Sequence, residues 1–153
     1  MKISILLPYK ENYAPHNAGA VSLFVKDINN ESYFKNSTFI FGNTSSTKKL
    51  SKNYINIELN KKILQSTSKL YIQSFLNNEK KINSDLIEIH NRPNYVKLIK
   101  RTYTKKIILF FHNDPLTMNG SKSIKERFYL LNNVDRIIFN SNWSKERFFL
   151  GLS

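Results

Sequence analysis

The chain of 153 residues contains no cysteine, only four glycines and only four prolines. The lack of cysteine excludes a disulfide framework, a thiolate metal site and a cysteine nucleophile, and it is compatible with a reducing compartment. No segment approaches the roughly 20 apolar residues that a membrane-spanning helix needs. The apolar start, Ile3–Leu7, is ended by Pro8 and Lys10. It therefore predicts a first β-strand rather than a signal peptide, and a soluble or peripheral protein.

Acidic residues are also scarce, since 11 Asp and Glu stand against 24 Lys and Arg and give a formal net charge of +13. Most of the excess lies in residues 61–153, which carry 17 basic and 7 acidic side chains (+10), against 7 and 4 (+3) in residues 1–60. Such an excess attracts nucleic acid, anionic lipid or phosphorylated substrates. An AT-rich genome, whose codons favour Lys, Asn and Ile, would raise the charge without any partner. Composition leaves both interpretations open.

Apolar runs alternate with helical patterns along the whole chain. The predicted strands are Ile3–Leu7, Ser37–Phe41, Tyr54–Leu59, Leu86–Ile89, Ile107–Phe111 and Arg136–Phe139. The predicted helices are Val21–Ile28, Lys61–Asn77, Asn94–Tyr103, Ile124–Leu131 and Trp143–Leu150. Alternating elements with wholly apolar strands are typical of a parallel sheet covered on both faces. We predict one α/β domain over residues 1–153, a Rossmann-like parallel sheet with helices on both faces.

Two similar tetrapeptides follow apolar runs at a spacing of 22 residues: His90-Asn91-Arg92-Pro93 and His112-Asn113-Asp114-Pro115. That spacing accommodates a strand, a helix and a return loop, so both tetrapeptides are predicted to end neighbouring parallel strands. Ligands of open α/β sheets bind outside the carboxyl ends of the strands. The alternative is ordinary strand-end and turn chemistry, because such histidines often bond to backbone and Asn-Asp-Pro favours turns. The pair favours a binding site.

Two helix starts are further candidates. The turn after strand 1 carries Ala18 and Gly19, small residues that let backbone N–H groups approach a phosphate. With a single glycine it is not a dinucleotide-binding fingerprint, and close helix–sheet packing explains it equally well. The second start, Ser141-Asn142 after the last strand, predicts helix capping by either side chain.

Several segments occur in an order that carries a resemblance. They are the turn after strand 1, Ile87–Pro93, Phe110–Pro115 and Arg136–Phe148. Together they resemble the N-terminal domain of a family 4 glycosyltransferase, of the bacterial lipopolysaccharide or exopolysaccharide kind. The resemblance implies one lobe of a two-lobed GT-B enzyme that is retaining, needs neither metal nor cofactor, and takes sugar from a nucleotide-diphosphate donor.

The resemblance also implies roles for individual residues. Ala18 and Gly19 would form the turn that faces the donor diphosphate, with Ala18 in place of a usual glycine. His112 would be catalytic, beside the transferred sugar. The acceptor cleft would be lined by His90, Asn91, Arg92, Asn113, Asp114, Ser141 and Asn142.

By the same resemblance the donor-binding C-terminal lobe is missing from these residues, so residues 1–153 alone are expected to be inactive. The expected partners are a nucleotide sugar and a glycan or lipid-linked acceptor, with peripheral contact at the cytoplasmic face of an anionic membrane. Two alternatives remain: a non-catalytic basic module that binds nucleic acid or a membrane surface, and a self-contained nucleotide-binding enzyme of flavodoxin-like architecture. The first lacks the aromatic–basic pattern of RNA-binding domains, and the second lacks a complete phosphate motif.

Overall fold

The computed structural model describes residues 1–59 and 64–152. The strands are β1 (Ile3–Leu6), β2 (Thr38–Gly42), β3 (Tyr54–Asn56), β4 (Leu86–His90), β5 (Lys106–Phe111) and β6 (Arg136–Phe139). The helices are α1 (Ala20–Glu31), α2 (Thr67–Ile82), α3 (Asn94–Lys100), α4 (Ile124–Asn133) and α5 (Asn142–Phe149). Short 3₁₀ turns occupy Lys35–Ser37 and Pro115–Thr117.

The six strands form one sheet in the order β3-β2-β1-β4-β5-β6, and every neighbouring pair is parallel. The chain runs outward from β1 to β3 and then crosses back to β4, so the strand order reverses between β1 and β4. In open α/β sheets, ligands bind at such a reversal. The prediction of a Rossmann-like parallel sheet is confirmed.

Helices cover both faces of the sheet, but unequally. One face carries the larger core, in which α2, α3, α4 and α5 contribute side chains such as Phe75, Tyr95 and Phe148. On the other face α1 packs Val21 and Val25 against β1 and β2. Because α1 is the only described helix on that side, it decides what covers the ends of β4 and β5 there.

A buried carboxylate joins α2 to the central strands. Glu79 is 4% exposed and accepts hydrogen bonds from the Ser4 hydroxyl at 2.7 Å and from the Ser84 N–H at 2.7 Å. The hydroxyls of Ser4 and Ser84 lie 2.6 Å apart. Each partner is therefore satisfied only while the carboxylate is present, which makes the cluster a specific lock between α2, β1 and the turn before β4.

Three helix boundaries differ from the pattern-based prediction. The predicted start of α2 at residues 61–63 lies outside the described residues, and α2 begins at Thr67, where the Ser66 side chain accepts from the Lys69 N–H. α1 and α2 both extend further than their apolar patterns indicate, because long-range partners stabilise polar residues in their last turns. Asn29 of α1 accepts from Asn53, and Glu79 of α2 bonds to both serines. The third helix ends at Lys100, short of Tyr103. In the described residues, no helix has the length and apolar character needed to cross a membrane.

We expect Glu79→Ala to lower the free energy of unfolding by about 2–3 kcal/mol, because it leaves buried hydroxyl and N–H groups without a partner. Glu79→Gln retains an acceptor oxygen and should cost less. Urea denaturation followed by circular dichroism measures both. The matched control is Glu31→Ala, at an exposed carboxylate at the end of α1, which should change stability by less than about 0.5 kcal/mol. Equal losses for Glu79→Ala and the control would contradict the lock.

Candidate functional site

Parallel pairing of β4 with β5 brings the two similar tetrapeptides together. His90 pairs with Phe110 in the strand register, and the Asn91 N–H continues the ladder to the Phe110 carbonyl at 2.8 Å. The Asn91 side chain then spans the gap, since its Oδ1 accepts from the His112 N–H at 3.1 Å and its Nδ2 donates to Asn113 at 2.8 Å. Asn91 has a φ of 56°, a left-handed conformation that Asn tolerates better than most residues. The adjacency of the two histidines at one sheet edge is therefore as predicted.

The two imidazole rings are in direct contact. His90 Nδ1 lies 3.0 Å from His112 Nε2. His90 also stacks on Phe110 with ring centroids 4.4 Å apart, while Phe24 of α1 meets His112 edge-on at 4.8 Å. His90 is 0% exposed, so in this conformation its side chain does not itself reach an open cleft. Any effect of His90 on a ligand passes through His112.

The pair is neutral at His112 near physiological pH. Burial, followed by the neighbouring His90, lowers the pKa of His112 to about 4. Because an uncharged imidazole donates through one nitrogen and accepts through the other, His112 offers a hydrogen-bonding group rather than a fixed positive charge.

Asn140 is a site residue that the sequence patterns did not single out. It follows β6, donates from Nδ2 to the His112 carbonyl at 2.8 Å, and accepts from the Ser144 hydroxyl at 3.0 Å. Ser141 caps α5 by accepting from the Ser144 N–H, as predicted for one of the two candidates. The available signal was positional, because Asn140 ends its strand as His90 and His112 end or follow theirs.

The other predicted residues differ in accessibility. Asn113, Ser141 and Asn142 are exposed and free to meet a ligand, whereas Asn91 is buried. Arg92 turns back to the Asn91 carbonyl at 2.7 Å. Asp114 forms an ion pair with Arg147 of α5 at 3.0 Å, and these hydrogen bonds hold the pKa of the Asp114 carboxyl below its usual value. The ion pair fixes the loop after β5 to α5.

The turn before α1 has an unexpected occupant. Gly19 precedes the helix without a side-chain cap, and the Glu11 carboxylate accepts from the Ser22 N–H at 3.0 Å. A Cβ at Gly19 would overlap that carboxylate. The small residue therefore serves close approach of Glu11, which lies where the helix N-terminus attracts an anion. Phe24 is about one helical turn along α1 from Ala20, so this turn and His112 share one edge of the sheet.

Comparison with solved structures identifies the class to which this arrangement belongs. No family model and no curated protein matches the sequence. A sucrose-phosphate synthase from Thermosynechococcus elongatus superposes with a TM-score of 0.67 at 12% identity, over 99% of this chain and 45% of that one. A second structure of that synthase, covering part of its chain, gives a TM-score of 0.58 at 11% identity, over 96% of this chain and 80% of that one.

The fold is that of a Rossmann-like domain of a GT-B glycosyltransferase. The chain spans slightly under half of the longer sucrose-phosphate synthase structure.

We expect His112 to make stability fall as the pH falls from about 6.5 to about 4. Its pKa is lower in the folded chain than in the unfolded chain, so the unfolded chain binds the extra proton in this range. After discounting for partial exposure of the ring, the loss is about 1–2 kcal/mol. Urea denaturation between pH 4.5 and 7.5 measures it. His112→Asn should flatten the profile, while His16→Asn, at an exposed histidine, should leave it unchanged. Identical slopes for wild type and His112→Asn would contradict the assignment.

Proposed function

We propose that this chain is the acceptor-binding lobe of a retaining, nucleotide-sugar-dependent glycosyltransferase that builds cell-surface glycan of the lipopolysaccharide or exopolysaccharide type. One observation carries the proposal. On a GT-B type sheet, His112 and the Gly19 turn of α1 converge at the edge where the strand order reverses. The sequence segments around them are those that resemble family 4 enzymes.

His112 is placed beside the transferred sugar. Positive charge develops on a sugar ring as the diphosphate leaves, and preorganised dipoles beside it lower the barrier without reorganising. A neutral imidazole and a backbone carbonyl at the end of a buried strand provide such dipoles. The His112 carbonyl already accepts from Asn140, which holds its direction and leaves its second lone pair for a sugar hydroxyl.

The exposed polar residues around His112 form the acceptor side of the proposed cleft. Asn113, Ser141 and Asn142 are exposed at the same edge, and amide and hydroxyl groups both donate to and accept from glycan hydroxyls. Asn91 supports this wall from below through its bonds to His112 and Asn113. Its role is to hold the loop that presents the exposed residues.

The basic surface supports contact with an anionic membrane. A groove of about 460 Å³ between α2 and α3 is lined by Lys69, Lys80 and Arg101, with no acidic side chain among its lining residues. Clustered basic side chains attract anionic headgroups. We place the membrane contact at this groove, where it would bring the lobe close to a lipid-linked acceptor.

In a protein that joins this lobe to a donor-binding lobe, we expect His112→Ala to lower kcat about 10²–10³-fold, the usual cost of removing one electrostatic partner of a transition state. Acceptor binding and folding should remain near normal. Steady-state kinetics and melting temperatures measure these effects, with His16→Ala as the control. A purely structural His112 predicts a lower melting temperature with unchanged turnover per folded molecule, and that outcome would refute the catalytic role.

We expect the wild-type chain to bind UDP-, GDP- and ADP-sugars no more tightly than millimolar in calorimetry, because the proposal places most donor contacts in the other lobe and Glu11 occupies the α1 N-terminus. Glu11→Ala should strengthen binding of the matching nucleotide diphosphate about five- to thirtyfold, corresponding to about 1–2 kcal/mol. Glu31→Ala makes the same change in net charge at the far end of α1. Equal affinities for the two variants would remove the diphosphate from this turn, and micromolar wild-type affinity would mean that the donor site is misplaced.

A further inference from the structure

Three titratable side chains lie in a row beneath the proposed cleft. Glu88 precedes His90 by two residues on β4, so both side chains project from the same face of the sheet. Glu88 Oε2 lies 3.5 Å from His90 Nε2, and His90 Nδ1 lies 3.0 Å from His112 Nε2. The row therefore leads from a carboxylate, through a fully buried imidazole, to the half-buried imidazole placed beside the sugar.

Both ring nitrogens of His90 are engaged within this row. Its ring has no exposed surface and is stacked on Phe110, which leaves no route to another partner. His112 Nδ1, in contrast, has no hydrogen-bond partner among residues 1–59 and 64–152, and it is absent from their buried unpartnered atoms. That nitrogen is the accessible end of the row.

The positions of the protons follow from what each group is able to do. A neutral imidazole carries one N–H, and an ionised carboxylate only accepts. Glu88 therefore favours the proton of His90 on Nε2, which leaves His90 Nδ1 as an acceptor. The 3.0 Å contact then requires His112 to donate from Nε2, and His112 Nδ1 retains its lone pair. At 3.5 Å the first contact is long for a hydrogen bond, so Glu88 acts chiefly through its negative charge.

The groups that face the two rings are consistent with this order. Among the described residues, the contacts of the pair are Glu88, the aromatic rings of Phe24 and Phe110, and the Asn91 side chain at the His112 backbone. None of these is a cation that would compete for the carboxylate. Low polarity around the rings strengthens the bias, because a charge acts further where water is excluded.

We propose that Glu88 is a positioning residue that, through His90, fixes the tautomer of His112 so that Nδ1 faces the cleft as a hydrogen-bond acceptor. The use of that acceptor on a hydroxyl-bearing sugar rests on the proposed function, whereas the tautomer itself does not. The ligand group that His112 accepts from must be a donor, such as a sugar hydroxyl. A phosphate oxygen, which only accepts, is disfavoured at Nδ1.

Nitrogen-15 NMR of the imidazoles in the ligand-free 153-residue chain at pH 7 tests the proposal, because protonated and unprotonated ring nitrogens have well-separated shifts. We expect wild-type His112 to be protonated at Nε2 and unprotonated at Nδ1. In Glu88→Gln, whose amide both donates and accepts, both His112 nitrogens should shift toward intermediate values as the second tautomer becomes populated. Glu88→Leu, which removes the charge without adding a donor, should give the same mixture.

The matched control, Glu31→Gln, removes an exposed carboxylate from the end of α1 and should reproduce the wild-type spectrum. Wild-type His112 protonated at Nδ1 would overturn the proposal, and so would folded Glu88 variants with wild-type His112 shifts. The wild-type measurement stands even if a variant fails to fold. Since no donor or acceptor is present, failure of this test is distinct from failure of the proposed function, which the kinetics of His112→Ala decide.

Discussion

The parallel register of β4 and β5 is the constraint on which the candidate site depends. It sets His90 beside Phe110 and carries the next residue, Asn91, into a left-handed turn whose side chain holds the His112 backbone. A shift of one residue in either strand would turn one histidine to the opposite face and separate the rings. The contact between the imidazoles is thus a consequence of sheet pairing, and the rest of the edge is arranged around it.

Exclusion of water then gives this contact its chemical character. Phe24 and Phe110 cover the rings, and burial lowers the pKa of His112 to about 4. Two neutral imidazoles share one proton position in their contact, so the single nearby carboxylate decides its direction. In water the same three groups would exchange protons with solvent, and Glu88 would have little influence on His112.

The α1 turn shows a different balance at the same edge. A helix N-terminus attracts an anion, and here Glu11 of the chain supplies it. Gly19 is small because the carboxylate approaches closely, a cause that neither phosphate binding nor helix–sheet packing had predicted. A donor diphosphate directed to this turn would have to displace Glu11, so in the proposed enzyme nucleotide binding is linked to movement of the loop between β1 and α1.

The sequence by itself determined the sheet class and the shared edge of the two histidines, because strand periodicity and chain order are local properties that parallel pairing turns into position. It did not determine where α2 begins, how far α1 extends, or that Glu11, Glu88 and Asn140 belong to the site. Those features depend on partners far along the chain, such as Asn53 for Asn29 and His112 for Asn140. Only tertiary structure decided them, because a side chain's partner and its access to water exist only once distant segments have packed together.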